Sequence, residues 1–170
     1  MDAGYFFYNS KTNVRVPSLN QVLNEITNKN KSINIELKPN KGLEKANVNK
    51  IVDEFKNFPL KNIFFSSFDL ASCIYLKKKL PDALCGFLNE DFSKITLKDT
   101  IDICKSNDFF SCGIDLESFS DSVVNELTNN DILVTVYSEK NISIKEAQNL
   151  WKKKVTSVFV DDPTNYLNYL

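Results

Sequence analysis

The chain has no histidine, and its 170 residues include only four glycines, one methionine and one tryptophan. Without histidine, the side chain that most often moves protons near neutral pH is missing, and so is the commonest neutral metal ligand. Chemistry must then use carboxylates, lysine, tyrosine or cysteine, or be supplied from outside the chain. The few glycines form neither G-x-G-x-x-G nor G-x-x-x-x-G-K, which excludes a glycine-rich phosphate loop. No apolar run approaches the ~20 residues that span a bilayer. The amino terminus lacks the basic and apolar regions of a signal peptide, so a cytoplasmic location is expected. A net charge of −1 with dispersed basic residues argues against a nucleic-acid partner. Cys73, Cys85, Cys104 and Cys112 show no metal-ligand spacing and read as reduced core thiols.

What is present is enough apolar surface for one domain: 42% hydrophobic residues against 25% charged. Short apolar runs alternate with helical patterns. A Ser-x-x-Gln capping box at Ser18 and Gln21 opens a helix through Ile26. Strands are predicted over 33–38, 63–67, 84–88, 109–114, 132–137 and 155–160, with helices between them and a short one near Tyr166. Asp69 is expected to cap the helix that runs to Leu80. Trp151 and the phenylalanines read as core. Lys77-Lys78-Lys79 and Lys152-Lys153-Lys154 read as solvated helix ends.

Strict alternation of strand and helix fits a doubly wound sheet or a (β/α) barrel. The missing glycine loop counts against the first. Polar residues gather at carboxyl strand ends (Glu36, Ser66, Asn89, Asp115, Tyr137, Asp161), as they do in barrel enzymes. The expected fold is therefore an α/β barrel of the (β/α)8 TIM type. It is incomplete, because six strands are predicted where closure needs eight. The segment Ile33-Asn34-Ile35-Glu36-Leu37-Lys38-Pro39 stands out. Alternation puts Glu36 and Lys38 on one face of a strand that otherwise reads as buried, and Pro39 ends the pairing just beyond them. Two charges on such a strand need a partner, a metal or a substrate. Spacing alone leaves open whether they serve a ligand or merely pair with each other.

Several of these segments, in order, resemble the glycerophosphodiester phosphodiesterases. Val16-Pro17-Ser18-Leu19-Asn20-Gln21-Val22-Leu23 is similar to that family's "IPTLEEVL" helix, and Asn34-Ile35-Glu36-Leu37-Lys38-Pro39 to its "NIEIKP" strand. Phe65-Ser66-Ser67-Phe68-Asp69 resembles "SSFD", Val136-Tyr137-Ser138 resembles "VYT", and Val158-Phe159-Val160-Asp161-Asp162-Pro163 resembles "IITDDP". Asp2-Ala3-Gly4 fits "LDAG". The resemblance implies a TIM barrel that hydrolyses glycerophosphodiesters to glycerol 3-phosphate and an alcohol, with a divalent cation (magnesium or calcium) on the phosphodiester and two histidines as acid and base. It places Glu36 at a metal-ligand position, Lys38 at a phosphate contact and Tyr137 at the pocket wall; Ser66, by its place at a strand end, either donates a hydrogen bond to a ligand or satisfies the backbone. Lys140 stands where the family has asparagine, and Val160 where it has threonine.

The family's "HRG" and "HD" motifs have no counterpart. Residues 1–170 are thus expected to form a single partial barrel corresponding to family strands 3 to 8, with no catalytic acid or base of its own and only a loose hold on the cation. Other phosphodiester-cleaving barrels are a weaker match, lacking "SSFD" and "TDDP". The expected partner is a small-molecule phosphodiester. The alternative is a non-catalytic barrel remnant that binds a partner chain or a phosphorylated ligand. Self-association through the exposed barrel edges is a further expectation.

Overall fold

The computed structural model describes residues 2–29 and 31–167. After a short helical turn, α1 (Tyr5–Tyr8), and helix α2 (Leu19–Lys29), the chain alternates: β1 (Ile33–Glu36), α3 (Glu44–Glu54), β2 (Ile63–Ser67), α4 (Leu70–Lys79), β3 (Leu84–Asn89), α5 (Leu97–Ser106), β4 (Ser111–Asp115), α6 (Asp121–Thr128), β5 (Leu133–Tyr137), α7 (Ile144–Lys152) and β6 (Ser157–Val158). Local chemistry starts the helices. The capping box of α2 is formed, with the Ser18 N–H donating to Gln21 Oε1 at 2.8 Å and the Gln21 N–H to Ser18 Oγ at 3.3 Å. Asp69 caps α4 through the Ser72 N–H at 2.6 Å. Thr96, Ser120 and Ser143 cap α5, α6 and α7 in the same way.

All neighbouring strands pair in parallel, and their spatial order equals their chain order, β1 to β6. A doubly wound sheet would reverse that order at a switch point. Sequential order with helices between is barrel topology, and the sheet is a curled half-barrel. Among the described residues β1 and β6 keep one unpaired edge each.

Residues paired across a parallel ladder share a face, so the register sorts the side chains. Outward lie Ile63, Phe65, Cys85, Phe87, Cys112, Ile114, Val134 and Val136, all buried against the helices. The Phe65 ring meets Phe55, just after α3, edge to face at 5.4 Å. Inward lie Asn34, Glu36, Phe64, Ser66, Gly86, Leu88, Ser111, Gly113, Thr135 and Tyr137. Gly113 lies close under its neighbours on this face: a Cβ there would meet the end of the Leu88 side chain and the Thr135 hydroxyl. At the amino ends of their strands Leu84 and Leu133 are 53% and 44% exposed.

Several expectations need correction. The last strand is two residues, not six, and the helix near Tyr166 is a 3-10 turn over Thr164–Tyr166. Trp151 is 40% exposed and packs its ring edge to face with Tyr166 at 6.4 Å instead of entering the core. Phe6, Phe7 and Phe68 are likewise exposed. Lys77 is not solvated. The chain turns at Pro81 after α4, and the ammonium satisfies the Pro81 and Ala83 carbonyls and pairs with Asp108 at 2.8 Å. The four cysteines are free and buried, as expected.

Candidate active site at the carboxyl ends of the strands

β1 ends at Glu36, one ladder bond short of a longer strand, since the Leu37 N–H still donates to the Ser66 carbonyl at 2.7 Å. Lys38 therefore lies beyond the strand, and its side chain is 75% exposed instead of buried; that of Glu36 is 27% exposed. Lys38 Nζ lies 3.4 Å from Glu36 Oε1. The two charges thus pair with each other, the plainer of the readings that spacing allowed. The contact is charge proximity without hydrogen-bond alignment, for Glu36 Oε1 is buried and accepts no hydrogen bond. At this exposure such a pair contributes about 0–1 kcal/mol, little to set against a ligand. A buried carboxylate oxygen lacking a hydrogen bond suits a hard cation as one ligand. No group of three histidine, cysteine, aspartate or glutamate side chains gathers around a metal-sized space among the described residues, so the donor set is not completed by them.

The other expected residues have structural partners. Ser66 exchanges hydrogen bonds with the Asn34 side chain at 3.0 and 3.1 Å, across β1 and β2. Ser67 points outward; its hydroxyl donates to the Leu37 carbonyl at 2.6 Å and accepts from the Asp69 N–H at 3.0 Å. It ties the strand end to the next helix. Tyr137 donates to the Asn89 carbonyl at 3.2 Å, and its ring meets Phe68 edge to face at 5.3 Å. β2 and β5 are separated by two strands, a span of roughly 14 Å in a flat sheet. The Phe68–Tyr137 contact therefore depends on the curl and roofs the concave face at its carboxyl end. Burial raises the Tyr137 phenol well above its usual range, and the carboxylates of Asp115, Glu90 and Glu36 add to the effect. Tyr137 is a neutral donor at physiological pH, not a base.

Asn34 and Phe68 are the residues that a search for charged candidates passed over. Asn34 could have been found, because the alternation that places Glu36 on the inner face places Asn34 there too. Phe68 could not, since only the curl brings it to Tyr137. Asp161 lies at the exposed end beyond β6, where its N–H donates to the Asn141 side chain at 2.8 Å. A hollow of about 600 Å³ at this end lies over β3 to β5 and not over Glu36; Glu90, Asp115, Glu117, Glu139, Lys94 and Lys140 are among its lining. Its excess of carboxylates repels a phosphodiester unless cations offset them.

The model of the glycerophosphoryl diester phosphodiesterase family matches residues 1–165. No curated protein matches the chain. Among solved structures, a glycerophosphodiester phosphodiesterase from Galdieria sulphuraria superposes with a TM-score of 0.77 at 17% identity, covering 90% of this chain and 63% of that one. A phosphodiesterase from Oleispira antarctica, solved with the product sn-glycerol-3-phosphate, gives 0.73 at 21% identity, over 84% and 56%. A glycerophosphodiester phosphodiesterase from Thermotoga maritima gives 0.67 at 16%, over 98% and 75%. The chain thus spans less than two thirds of the length of the first two. At these identities the superpositions show the shared barrel fold.

Proposed function

Because the chain belongs to the glycerophosphoryl diester phosphodiesterase family, we propose that it carries the phosphate-gripping half of a site that hydrolyses glycerophosphodiesters to glycerol 3-phosphate and an alcohol. The observation that carries this reading is Glu36: an inward carboxylate at a carboxyl strand end, with one oxygen buried and accepting no hydrogen bond, beside the solvent-exposed Lys38, whose ammonium is its ion-pair partner at 3.4 Å. Glu36 is the cation ligand and Lys38 a point charge for a non-bridging phosphate oxygen. A divalent cation, magnesium or calcium, when bound would neutralise the phosphodiester and the charge that develops on it. Ser66 and Tyr137, with Phe68, form the wall beside that position. The chain has no histidine to move protons. The acid and base, and the remaining carboxylates, come from outside these 170 residues, in the place of the family's first two strands. Alone, the chain binds cation weakly and does not turn substrate over.

The test is release of glycerol 3-phosphate from glycerophosphoglycerol with magnesium or calcium. The chain alone should show none. A chimaera that places the amino-terminal third of the Galdieria sulphuraria relative before Asp2 should turn over. In that chimaera Glu36→Gln and Lys38→Ala should each lower the rate by about 100-fold or more. Turnover by the chain alone would remove the inactivity claim, and full activity in Glu36→Gln would remove the site.

The unpaired edges of β1 and β6 favour a second reading, a barrel remnant that assembles with a partner chain, with itself, or with a phosphorylated ligand. A monodisperse monomer that binds no inorganic phosphate would count against it.

A further inference from the structure

Glu36 Oε1 is buried although its carboxylate stands at the mouth of an unclosed sheet. Lys38 flanks it on one side, but that side chain is largely exposed and shields little. The register says what lies above it. Glu36 pairs across the ladder with Ser66, and alternation puts Phe68 on the same inner side, one layer nearer the mouth. The ring contact of Phe68 with the inward Tyr137 agrees. Glu36 also lies within electrostatic reach of the Tyr137 phenol, which burial raises and the carboxylates of Asp115, Glu90 and Glu36 raise further. The Phe68–Tyr137 roof therefore stands over the layer that holds Glu36.

The two halves of the roof are held differently. Tyr137 is a fixed post. Its hydroxyl donates to the Asn89 carbonyl, and Asn89 is itself buried and anchored. The Asn89 Nδ2 donates to the Ile95 carbonyl at 2.9 Å and to Thr100 Oγ1 at 2.7 Å, and its Oδ1 accepts from the Asp91 N–H at 2.9 Å. Phe68 is a leaf. Its neighbours in the chain are pinned, Ser67 on the Leu37 carbonyl and Asp69 as the cap of α4, so the backbone stays while the ring can turn. That ring is 43% exposed, and among the described residues its aromatic partner is Tyr137. Exposed side chains change rotamer on fast timescales. One edge-to-face contact biases such an exchange toward the closed rotamer by about fivefold.

We propose that Phe68 is a gate over Glu36. Closed on Tyr137, the ring keeps water from the buried carboxylate oxygen; turned outward, it opens the way for a ligand of that oxygen. For a site that acts on glycerophosphodiesters, the gate would set when cation and phosphate reach Glu36 and Lys38. This consequence rests on the function proposed above, whereas the gate does not.

The test is carbodiimide labelling of the whole chain with excess glycinamide, read by peptide mass spectrometry as loss of the free carboxyl at Glu36. The exposed Glu126 serves as internal reference. Labelling through a gate scales with the fraction of time it is open, so Phe68→Ala should speed the loss at Glu36 about fivefold at an unchanged Glu126 rate. Phe68→Leu should give a smaller rise in the same direction, and it decides the matter if the alanine variant loosens the fold. Tyr137→Phe keeps both rings but removes the bond to Asn89, so the post loosens and the Glu36 rate should rise about twofold. A Glu36 rate left unchanged by Phe68→Ala overturns the proposal. So does a rise shared by Glu126 in both Phe68 variants, because the effect would then be general loosening of the chain. Labelling needs neither cation nor turnover. Failure of the phosphodiesterase reading thus leaves the gate standing, and failure of the gate leaves Glu36 a candidate ligand.

Discussion

The two faces of the one sheet are built differently. On the outer face Phe65, Cys85, Cys112, Ile114, Val134 and Val136 are fully buried, and β2 to β5 each meet a helix from the same chain. On the inner face glycine, serine and threonine alternate with leucine; Leu88 is buried over Gly113, while Leu84 and Leu133 stand open. The outer face is a finished core, built by βα units that each bring their own cover. The inner face of a barrel is covered only by the strands opposite, so six strands leave part of it bare. Stability and chemistry are thereby separated. This chain can hold its sheet together by the outer face, while its candidate site lies on the inner face.

The comparison is broken most sharply by truncation on each side. Phe65→Ala removes a fully buried ring and its contact with Phe55, and should cost about 3–5 kcal/mol, read as a lower urea midpoint. Total stabilities are commonly about 5–15 kcal/mol, so Phe65→Leu is the milder companion if the alanine variant fails to fold. Leu133→Ser, on the same sheet but facing inward, should change stability by about 0.5 kcal/mol or less. A loss as large as that of Phe65→Ala would mean that the inner face is covered in solution, by a second copy or another segment.

The smallest expected effect is confined to residues 2–16, an arm closed by the antiparallel bridge of Asp2 with Arg15. The Thr12 hydroxyl, then the Thr12, Asn13 and Gly4 N–H groups, hold the Asp2 carboxyl down from 3.8 to about 2. A depressed folded value means that the contribution is complete above the unfolded value and is lost as pH falls through the folded one. Amide signals of Gly4, Thr12 and Asn13 should thus report release of the arm only between about pH 4 and pH 2, with the sheet unaffected. Asp2→Asn should abolish that transition, and a transition shared with the sheet would show that the arm is not independent.

Much of the fold was legible because its signals are local. Capping at Ser18 and Asp69 and the apolar runs of β2 to β5 depend on near neighbours in the chain. Where long-range partners decide, reading was poorer. β6, at the edge of the sheet, is two residues long, and Trp151 packs at the surface against Tyr166. At the site, alternation identified the face of Glu36 but could not say that the strand stops there, which releases Lys38 to solvent.

By itself, then, the sequence determined the order of strands and helices, the family, and the lack of a histidine acid or base, because propensity, capping, motif and composition are properties of neighbouring residues or of none. Only the tertiary structure decided which residues face each other: the Phe68–Tyr137 roof, the Asn34–Ser66 pair and the Glu36 oxygen left without a hydrogen bond. Those are set by the curl of the sheet, which is a property of the whole chain folded in space.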